Sequence, residues 1–577
     1  MRAHRIVLPV AASLIAGGVT FAQVGRGWSD WPTPYADAQR TSWLQTDPNI
    51  SVESISKPGF ELQWTSKLDN QRRGVHGLTQ GVTASGVTLF VPTSLVAGSS
   101  NKLYMLDNDT GYVVWSRTFE GTLPPPMGAC SGGVTAAPTR IVSGSAPPTA
   151  PAGAPPPAGR GNQQGYRSLL GEPGQGIPME PRGGGPPRGA PAGPARQGGA
   201  PGPVAQGRGE GVGIPGAPNV VSGGGTARVL VGYAVAADGQ LHVVGLQSGK
   251  DLQKPAPFLP PNSHWSNPVA VGTMMYAATS GNCAGAPNGV YAIDLDAPDN
   301  KAVVSYRTNG GSVVGAVAFS SDGNTLLAAL GPGSVTGNGK ANAIVALDPK
   351  TLQLKDWFTQ PTAEFVTGPT VFRHGTKDVV AAATKDGRVM LLDAASLGGA
   401  DHATPLAASV PLFTSGGGIS AEALSTWTRA AASTTAPADS GARWVLVPVS
   451  GRPVGARTTN GAIRNGAVVA LRVRDVHGTF SLEPEWTSND LISPATPIIV
   501  NGVVFALSSG RSAAAGRTGS PAVLFAHDGL SGKALWNSGK SMTAPASPGS
   551  FWSALSQVYV GADDGTVNAY GFLDERR

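Results

Sequence analysis

A strand–turn–strand unit that recurs along the chain restricts its fold more than any other feature. The clearest copy is LYMLDNDTGYVVW, residues 103–115, where alternating apolar residues precede an Asp-x-x-Thr-Gly turn and a second strand ends on tryptophan. This alternation and turn chemistry predict a β-hairpin. The pattern returns as LFAHDGLSGKALW, residues 524–536, with aspartate and glycine at the same places. The chain is therefore built from repeats of one unit.

Weaker copies of the unit lie between these two and set the length of the repeat. They are LHVVGLQSGKDL from Leu241, VYAIDLDAPDN from Val290, AIVALDPKTLQL from Ala343, VMLLDAASL from Val389 and VVALRVRDVHG from Val468. The turn aspartates Asp294, Asp348 and Asp393 are 54 and 45 residues apart, which suits one four-stranded antiparallel sheet per unit. A second apolar pair precedes the hairpins, as in ATPIIVNGVVFAL, where Asn-Gly is a strong hairpin signal. These features predict an all-β chain, an eight-bladed β-propeller of four-stranded antiparallel blades.

These repeats resemble those of the pyrroloquinoline quinone (PQQ) family. The family includes quinoprotein dehydrogenases and the non-catalytic propeller lipoprotein of outer-membrane assembly. The resemblance covers most of residues 28–573 and implies the propeller fold. It leaves activity open, because one fold hosts many functions and a function has to be argued from a site.

The two ends of the repeat array complement each other. FELQW, residues 60–64, resembles the outermost strand of a blade but has no partner strands before it, whereas the last unit ends at VNAYGF, residues 567–572. We therefore predict that the N-terminal strand completes the last blade and closes the ring, which leaves no exposed sheet edge. Residues 23–59 are then a lead-in, and residues 60–577 form the propeller.

Residues 1–22 have the pattern of a secretory signal peptide. Arg2 and Arg5 precede an apolar run over residues 6–21, and Ala22 precedes the expected cut. The run is shorter than a membrane span requires, and no later run is long enough. No cysteine follows the cut, so we expect an exported protein, periplasmic or extracellular, without a lipid anchor.

Residues 143–226 interrupt blade 2 with a segment that is about half glycine and proline. We predict a disordered insertion between the first two strands of the blade, either a tolerated loop or a flexible basic tether. It should leave the ring on the face opposite the family's usual ligand site. The formal net charge of +6 becomes +4 without the two signal-peptide arginines, and the insertion carries +3 of it. The remaining propeller is near neutral, which argues against a nucleic-acid partner.

The two cysteines, Cys130 and Cys283, are predicted to form a disulfide. An even count in an exported protein favours a bridge, and the repeat register puts both on one face of adjacent blades. Free thiols are the alternative, and two isolated cysteines do not make a metal site.

The resemblance also implies a cofactor site. Quinoprotein dehydrogenases hold PQQ with an adjacent cysteine pair, a tryptophan floor, a catalytic aspartate and a calcium ion bound by acidic and amide side chains. In this chain the cysteines are far apart in sequence, there is no Cys-x-x-Cys-His haem motif, and no catalytic residue can be assigned. Weak cofactor-binding candidates occur near the starts of innermost strands, with rim residues at a polar channel mouth as the alternative: His264, Asn267, Glu364, Glu422, Trp427 and Trp552. We expect neither a cofactor nor a metal.

Five arginines in the long loops between the second and third strands of blades 6 and 7 are candidates for anion or partner binding. They are Arg452, Arg457, Arg464, Arg511 and Arg517. Arginine suits carboxylate and phosphate groups through paired hydrogen bonds, although a solvated rim is the alternative. We predict a monomeric binding or scaffolding module that takes a protein or a small anionic ligand on this loop face. The alternative is a PQQ-dependent dehydrogenase of alcohols or aldose sugars.

Overall fold

Eight antiparallel sheets surround one central channel, as the repeats predicted. The computed structural model describes residues 29–84, 92–127, 130–145, 221–222, 225–226, 230–296, 303–360, 362, 364–429, 441–511 and 519–573. We call the face formed by the links between blades and the loops between second and third strands the upper face. The opposite face, which carries the loops between first and second strands, is the lower face.

Each blade extends from an innermost strand at the channel to an outermost strand at the perimeter of the ring. In that order, blades 1 to 4 consist of Val82–Ala84, Thr93–Gly98, Lys102–Asp107 and Val113–Thr118; a bridge at Thr139, then Val231–Val235, Gln240–Gly245 and Ala256–Pro257; Val269–Val271, Met274–Ser280, Gly289–Asp294 and Val303–Arg307; and Val313–Phe319, Leu326–Leu330, Ala343–Leu347 and Leu354–Thr359. Blades 5 to 8 consist of Thr370–His374, Lys377–Ala383, Val389–Asp393 and Ala407–Ala408; Ser425–Thr428, Arg443–Ser450, Gly466–Val476 and Thr479–Thr487; Ile498–Val500, Val503–Ser508, Val523–Asp528 and Ala534–Asn537; and Ala546–Ala554, Gln557–Ala562, Thr566–Phe572 and Phe60–Lys67.

Short elements supplement the blades. They are the strands Trp43–Leu44, Ile141–Val142, Val221–Ser222, Gly225–Thr226, His264–Trp265, Gly418–Ile419 and Arg457–Thr458, the helix Val52–Ile55, and the 3₁₀ helices Cys283–Gly285 and Gly399–Asp401. Among the described residues, no helix has the length and apolar character needed to cross a membrane.

Middle and outer strands differ in pattern because their surroundings differ. Leu326–Leu330 and Val503–Ser508 are buried along their whole length, because neighbouring blades cover both of their faces. The outermost strand of blade 1, Val113–Thr118, alternates between half-buried and exposed positions. The core therefore lies between the blades rather than within one sheet.

The tryptophan and glycine of the repeat pack adjacent blades together. Trp64 of blade 8 donates its Nε1–H to the carbonyl of Asn108 in blade 1 at 2.9 Å. Its ring lies against Gly111, where a Cβ would come within 2.4 Å of the indole and where φ is +72°, so that only glycine fits. Trp115 and Trp486 make the same contact with the turns of blades 2 and 7. The repeat motif is thus a device for packing neighbouring blades.

The predicted closure of the ring is confirmed. Phe60–Lys67 pairs antiparallel with Thr566–Phe572, with Phe60 opposite Phe572 and Lys67 opposite Thr566. The predicted disulfide is also confirmed: Cys130 and Cys283 are bonded, with their Cα atoms 5.6 Å apart. The bridge joins the link between blades 1 and 2 to the upper loop of blade 3.

The lead-in was predicted without a location, and the structure places residues 29–44 inside the channel. We call this segment the strap. Seven blades each donate a backbone N–H to a strap carbonyl within the described chain, from Thr83, Arg140, Phe319, Val371, Thr426, Ile499 and Leu555, at 2.8–3.1 Å. Blade 3 instead pairs its innermost strand with Ile141–Val142, in parallel. The strap thus makes one circuit of the channel and fills it below the upper face.

Two predictions concern residues that are wholly or largely outside the described chain. These are the signal peptide, residues 1–22, and the insertion, residues 143–226. Of the insertion, residues 143–145 and the short hairpin of Val221–Ser222 with Gly225–Thr226 are described. Ser145 donates its hydroxyl to the carbonyl of Asp322, in the lower loop of blade 4, so the insertion leaves the ring at the lower face.

Candidate functional site

A cavity of about 340 Å³ opens on the upper face at the channel axis. Its wall consists mainly of the segments that lead into the innermost strands of blades 1, 2, 3, 5, 6, 7 and 8. Ser509 and Arg511 in the upper loop of blade 7 and Tyr35 of the strap also line it. We call this cavity the pocket. Its volume is at the low end of the roughly 300–1,000 Å³ that small-molecule sites occupy.

The strap turns sharply where it reaches the pocket. Tyr35 and Ala36 both have positive φ angles, +63° and +76°, a conformation that costs a non-glycine residue energy and persists only where the surroundings enforce it. Gln80 enforces it in this protein: its Oε1 accepts the backbone N–H of Tyr35 at 2.6 Å and the Nε1–H of Trp31 at 3.1 Å. Gln80 in turn donates to the carbonyl of Phe551. This network holds Tyr35 in place against the pocket.

Tyr35 keeps its phenolic proton over the physiological range. Burial raises the pKa of Tyr35 well above its ordinary value, and the nearby negative charge of Glu422 raises it further. The side-chain N–H of Asn267 lies 3.5 Å from the phenolic oxygen. Tyr35 therefore presents a neutral hydroxyl near the carboxylate of Glu422.

A buried arginine ties the strap to the blades beneath the pocket. Arg40 donates from Nε to the carbonyl of Val317 at 2.8 Å, from Nη1 to that of Pro34 at 2.7 Å, and from Nη2 to that of Asn267 at 3.2 Å. Burial lowers the pKa of Arg40 to about 10, so it stays charged at neutral pH. Three carbonyls and the nearby Asp37 stabilise this buried charge.

The structure brings three of the six cofactor-binding candidates together. His264, Asn267 and Glu422 all line the pocket. Asn267 also has a structural role, because its Oδ1 accepts the backbone N–H of Ala137 at 2.9 Å. The His264 ring lies edge-on to the ring of His76, with centroids 5.1 Å apart.

The other three candidates lie elsewhere. Glu364 is paired with Lys385 at 3.0 Å, outside the pocket wall. Trp427 stacks on Trp444, with ring centroids 4.8 Å apart. Trp552 stacks on Tyr559 at 5.2 Å and is fully buried, also outside the pocket wall. Neither tryptophan provides a floor for a planar ligand in the pocket.

The lining residues that sequence reasoning missed include Tyr35, His76, Trp265 and Phe551. His76 precedes the innermost strand of blade 1 as His264 precedes that of blade 3, so the repeat register could have found it. Tyr35 carried no such signal, because the strap does not belong to a repeat.

The predicted arginine cluster is dispersed in the structure. Arg511 lines the pocket, where its Nη2 lies 2.7 Å from both carboxylate oxygens of Asp563. The backbone of Arg457 pairs in parallel with that of Trp486 in the outermost strand of blade 6. Arg457 therefore lies at the perimeter of the ring. Arg452 and Arg464 are exposed, and Arg517 lies outside the described residues. Anion binding by these arginines stays a prediction.

The residues present do not fit a quinone held by calcium. Calcium takes roughly six to eight oxygen ligands, but Glu422 is the one carboxylate among the described residues of the pocket wall. Among the described residues, no group of three or more histidine, cysteine or acidic side chains is placed to hold a metal ion. The Cys130–Cys283 bridge is also outside the wall, so it does not supply the cysteine pair of the quinoprotein sites.

Comparison with solved structures shows the fold. The chain resembles a europium-containing methanol dehydrogenase, with a TM-score of 0.54 and 10% identity over 94% of this chain and 98% of that one. It also resembles quinohemoprotein alcohol dehydrogenases from Comamonas testosteroni and Pseudomonas putida, each with a TM-score of 0.51, at 14% and 12% identity. These matches cover 94% and 95% of this chain and 80% and 81% of the two enzymes. No protein-family model and no curated protein sequence matches the chain. The molecule thus has the eight-bladed quinoprotein-like propeller fold.

Proposed function

We propose that this protein is an exported, non-catalytic binding or scaffolding module, and that its site is the pocket with the upper face around it. The observation that carries the proposal is the strap, which fills the channel from below and leaves a pocket that opens on one face. A small pocket with convergent polar groups is typical of a ligand site. The Cys130–Cys283 disulfide supports export, because disulfides persist in oxidising compartments.

The wall also argues for binding rather than quinone chemistry. Among the described residues, it offers one carboxylate, the amide of Asn267, whose oxygen already accepts a backbone hydrogen bond, and two histidines. This set can position a small ligand through hydrogen bonds. The alternative, a PQQ-dependent dehydrogenase with calcium, is supported by the likeness of fold to the quinohemoprotein alcohol dehydrogenases.

The rim of the upper face is the proposed surface for a protein partner. Arg452, Arg457 and Arg464 are exposed in the upper loop of blade 6, where they can form paired hydrogen bonds with acidic groups. The module is proposed to act as a monomer. Nucleic acid is not proposed as a partner, because the propeller is near neutral apart from the arginines in the upper loop of blade 6.

The first test separates binding from quinone catalysis. The purified protein is incubated with PQQ and calcium, desalted, and assayed for retained quinone absorbance and for dye reduction with ethanol and glucose. We expect neither retention nor activity. Stoichiometric quinone and saturable dye reduction, both lost when Ala421→Trp fills the pocket, would overturn the proposal in favour of the dehydrogenase.

The second test asks directly whether the pocket binds ligands. A fragment library is screened by thermal shift against the wild type and against Ala421→Trp, in which a half-buried wall residue becomes bulky. We expect fragments that stabilise the wild type and not the variant. If no fragment distinguishes the two proteins, the pocket is not the binding site.

A further inference from the structure

The two charged side chains among the described residues of the pocket wall differ in their state. Arg511 is held by both carboxylate oxygens of Asp563 and also donates from Nε to the carbonyl of Ala546. Glu422 is exposed and makes no side-chain hydrogen bond or ion pair within the described chain. The charge of the arginine is therefore compensated within the protein, whereas that of the glutamate is not.

Other positively charged side chains near the pocket also have partners within the protein. Arg40 lies beneath the pocket, and its three nitrogens donate hydrogen bonds to the carbonyls of Val317, Pro34 and Asn267. Arg72 pairs with Asp563 from outside the wall. None of these cations forms an ion pair with Glu422 within the described chain. The uncompensated charge that a ligand meets in the pocket is thus negative.

The surroundings of Glu422 suit a cation with an apolar body. The protonated hydroxyl of Tyr35 is near enough for Glu422 to raise the pKa of Tyr35, after the larger effect of burial. Val366, Ile419 and Ala495 are partly exposed apolar residues of the wall, and apolar lining can cover the apolar body of a ligand. A carboxylate, a hydroxyl oxygen that can accept a hydrogen bond and apolar lining together match a protonated amine with an apolar body.

We propose that the pocket binds a small primary amine with an apolar body, whose ammonium group is held by the carboxylate of Glu422. This inference rests on the proposed function and names the ligand class of that site. A carboxylate ligand is disfavoured there, because like charges repel and no wall cation among the described residues is free to offset the repulsion. The rim arginines, outside the pocket, are a separate surface.

The test uses three probes of similar shape: 2-phenylethylamine, 2-phenylethanol and 3-phenylpropionate. Binding to the full-length protein is measured by calorimetry, with the Ala421→Trp variant identifying binding in the pocket. We expect the amine to bind about tenfold more tightly than the alcohol, and the propionate more weakly than both. Glu422→Gln should reduce amine affinity by about tenfold and leave alcohol affinity within about twofold.

Glu364→Gln is the matched control. Glu364 is also an acidic residue of the upper face, but it is paired with Lys385 and lies outside the wall, so this variant should bind the amine as the wild type does. Pocket binding of all three probes with similar affinity, unchanged in Glu422→Gln, would overturn the amine inference and leave the proposed function standing. If fragments bind the pocket and the amine does not, the amine inference alone fails. If nothing binds there, both fail.

Discussion

The lower and upper parts of the channel differ in how far their polar groups are hydrogen-bonded within the protein. In the lower part, the strap carbonyls accept backbone N–H groups from seven blades, and Arg40 is satisfied by three carbonyls. In the upper part, the side chains of Glu422 and His264 make no hydrogen bond to the described protein. The strap backbone and Arg40 are thus satisfied within the protein, whereas the side chains of Glu422 and His264 are available to a ligand. Mutation of strap residues should therefore change the stability of the protein, whereas mutation of Glu422 in the pocket should change ligand binding.

The largest effect is expected from Arg40→Ala in the strap. The substitution leaves three carbonyls without a donor, each at a cost of about 1–3 kcal/mol, partly offset because a charge is no longer buried. We expect a loss of roughly 3–5 kcal/mol in the free energy of unfolding, measured by urea denaturation.

Arg474→Ala is the control for this experiment. Arg474 pairs with Glu483, and both side chains are substantially exposed, so its loss should cost well under about 1 kcal/mol. Equal denaturation midpoints for the two variants would show that the strap does not stabilise the ring.

The upper face has one strong structural restraint, the disulfide. Changing Cys130 and Cys283 together to alanine should reduce the free energy of unfolding by about 2–4 kcal/mol, because the unfolded chain gains conformational freedom. The same loss should appear when the wild type is unfolded in dithiothreitol. An unchanged midpoint in both experiments would mean that the ring alone orders these upper loops.

Acid should weaken blade 7 through His527, which lies in the third strand of that blade. Burial lowers the pKa of this histidine from 6.5 to about 4. Above pH 6.5 both states are neutral there; as pH falls toward 4, the unfolded state takes up a proton that the folded state resists. This linkage should remove up to about 3 kcal/mol of stability between pH 6.5 and 4.

Urea denaturation across this pH range compares the wild type with His527→Gln. The variant should lose this part of the acid dependence, whereas His477→Gln, at an exposed position, should retain it. Parallel curves for the wild type and His527→Gln would contradict the proposed linkage.

The smallest effect is expected where the insertion leaves the lower face. Replacing residues 146–220 by a short Gly-Ser linker should change the free energy of unfolding by less than about 1 kcal/mol, because loop-closure entropy grows slowly with length. Circular dichroism and urea denaturation check this. A deletion variant that does not fold would show that the lower face depends on the insertion as well as on the strap.

The repeat pattern was enough to predict the ring. Alternation, turn chemistry and spacing are local properties, and each unit buries its apolar faces only against its neighbours. The same register predicted that residues 60–64 would close the last blade and that Cys130 would meet Cys283. It also placed His264, Asn267 and Glu422 at the starts of innermost strands, where the pocket forms.

The arginines show where register stops being informative. It specifies the face on which a loop lies, but not how far from the channel axis each side chain ends. Arg511 therefore reached the pocket and an ion pair with Asp563, while Arg457 joined the outermost strand of blade 6. Trp427 and Trp552 were likewise near the right strands but are buried in stacked aromatic pairs.

The sequence by itself determined the number of blades, their order, the closure of the ring and the cysteine pair, because each follows from a repeated local pattern. Only the tertiary structure decided the course of the strap and the content of the pocket. Residues 29–44 have no periodicity, and Tyr35, Ala36, Arg40 and Ser42 adopt positive φ angles that no local signal predicts. Their conformation is set by hydrogen bonds to residues as distant as Leu555, and such partners become neighbours only when the ring closes.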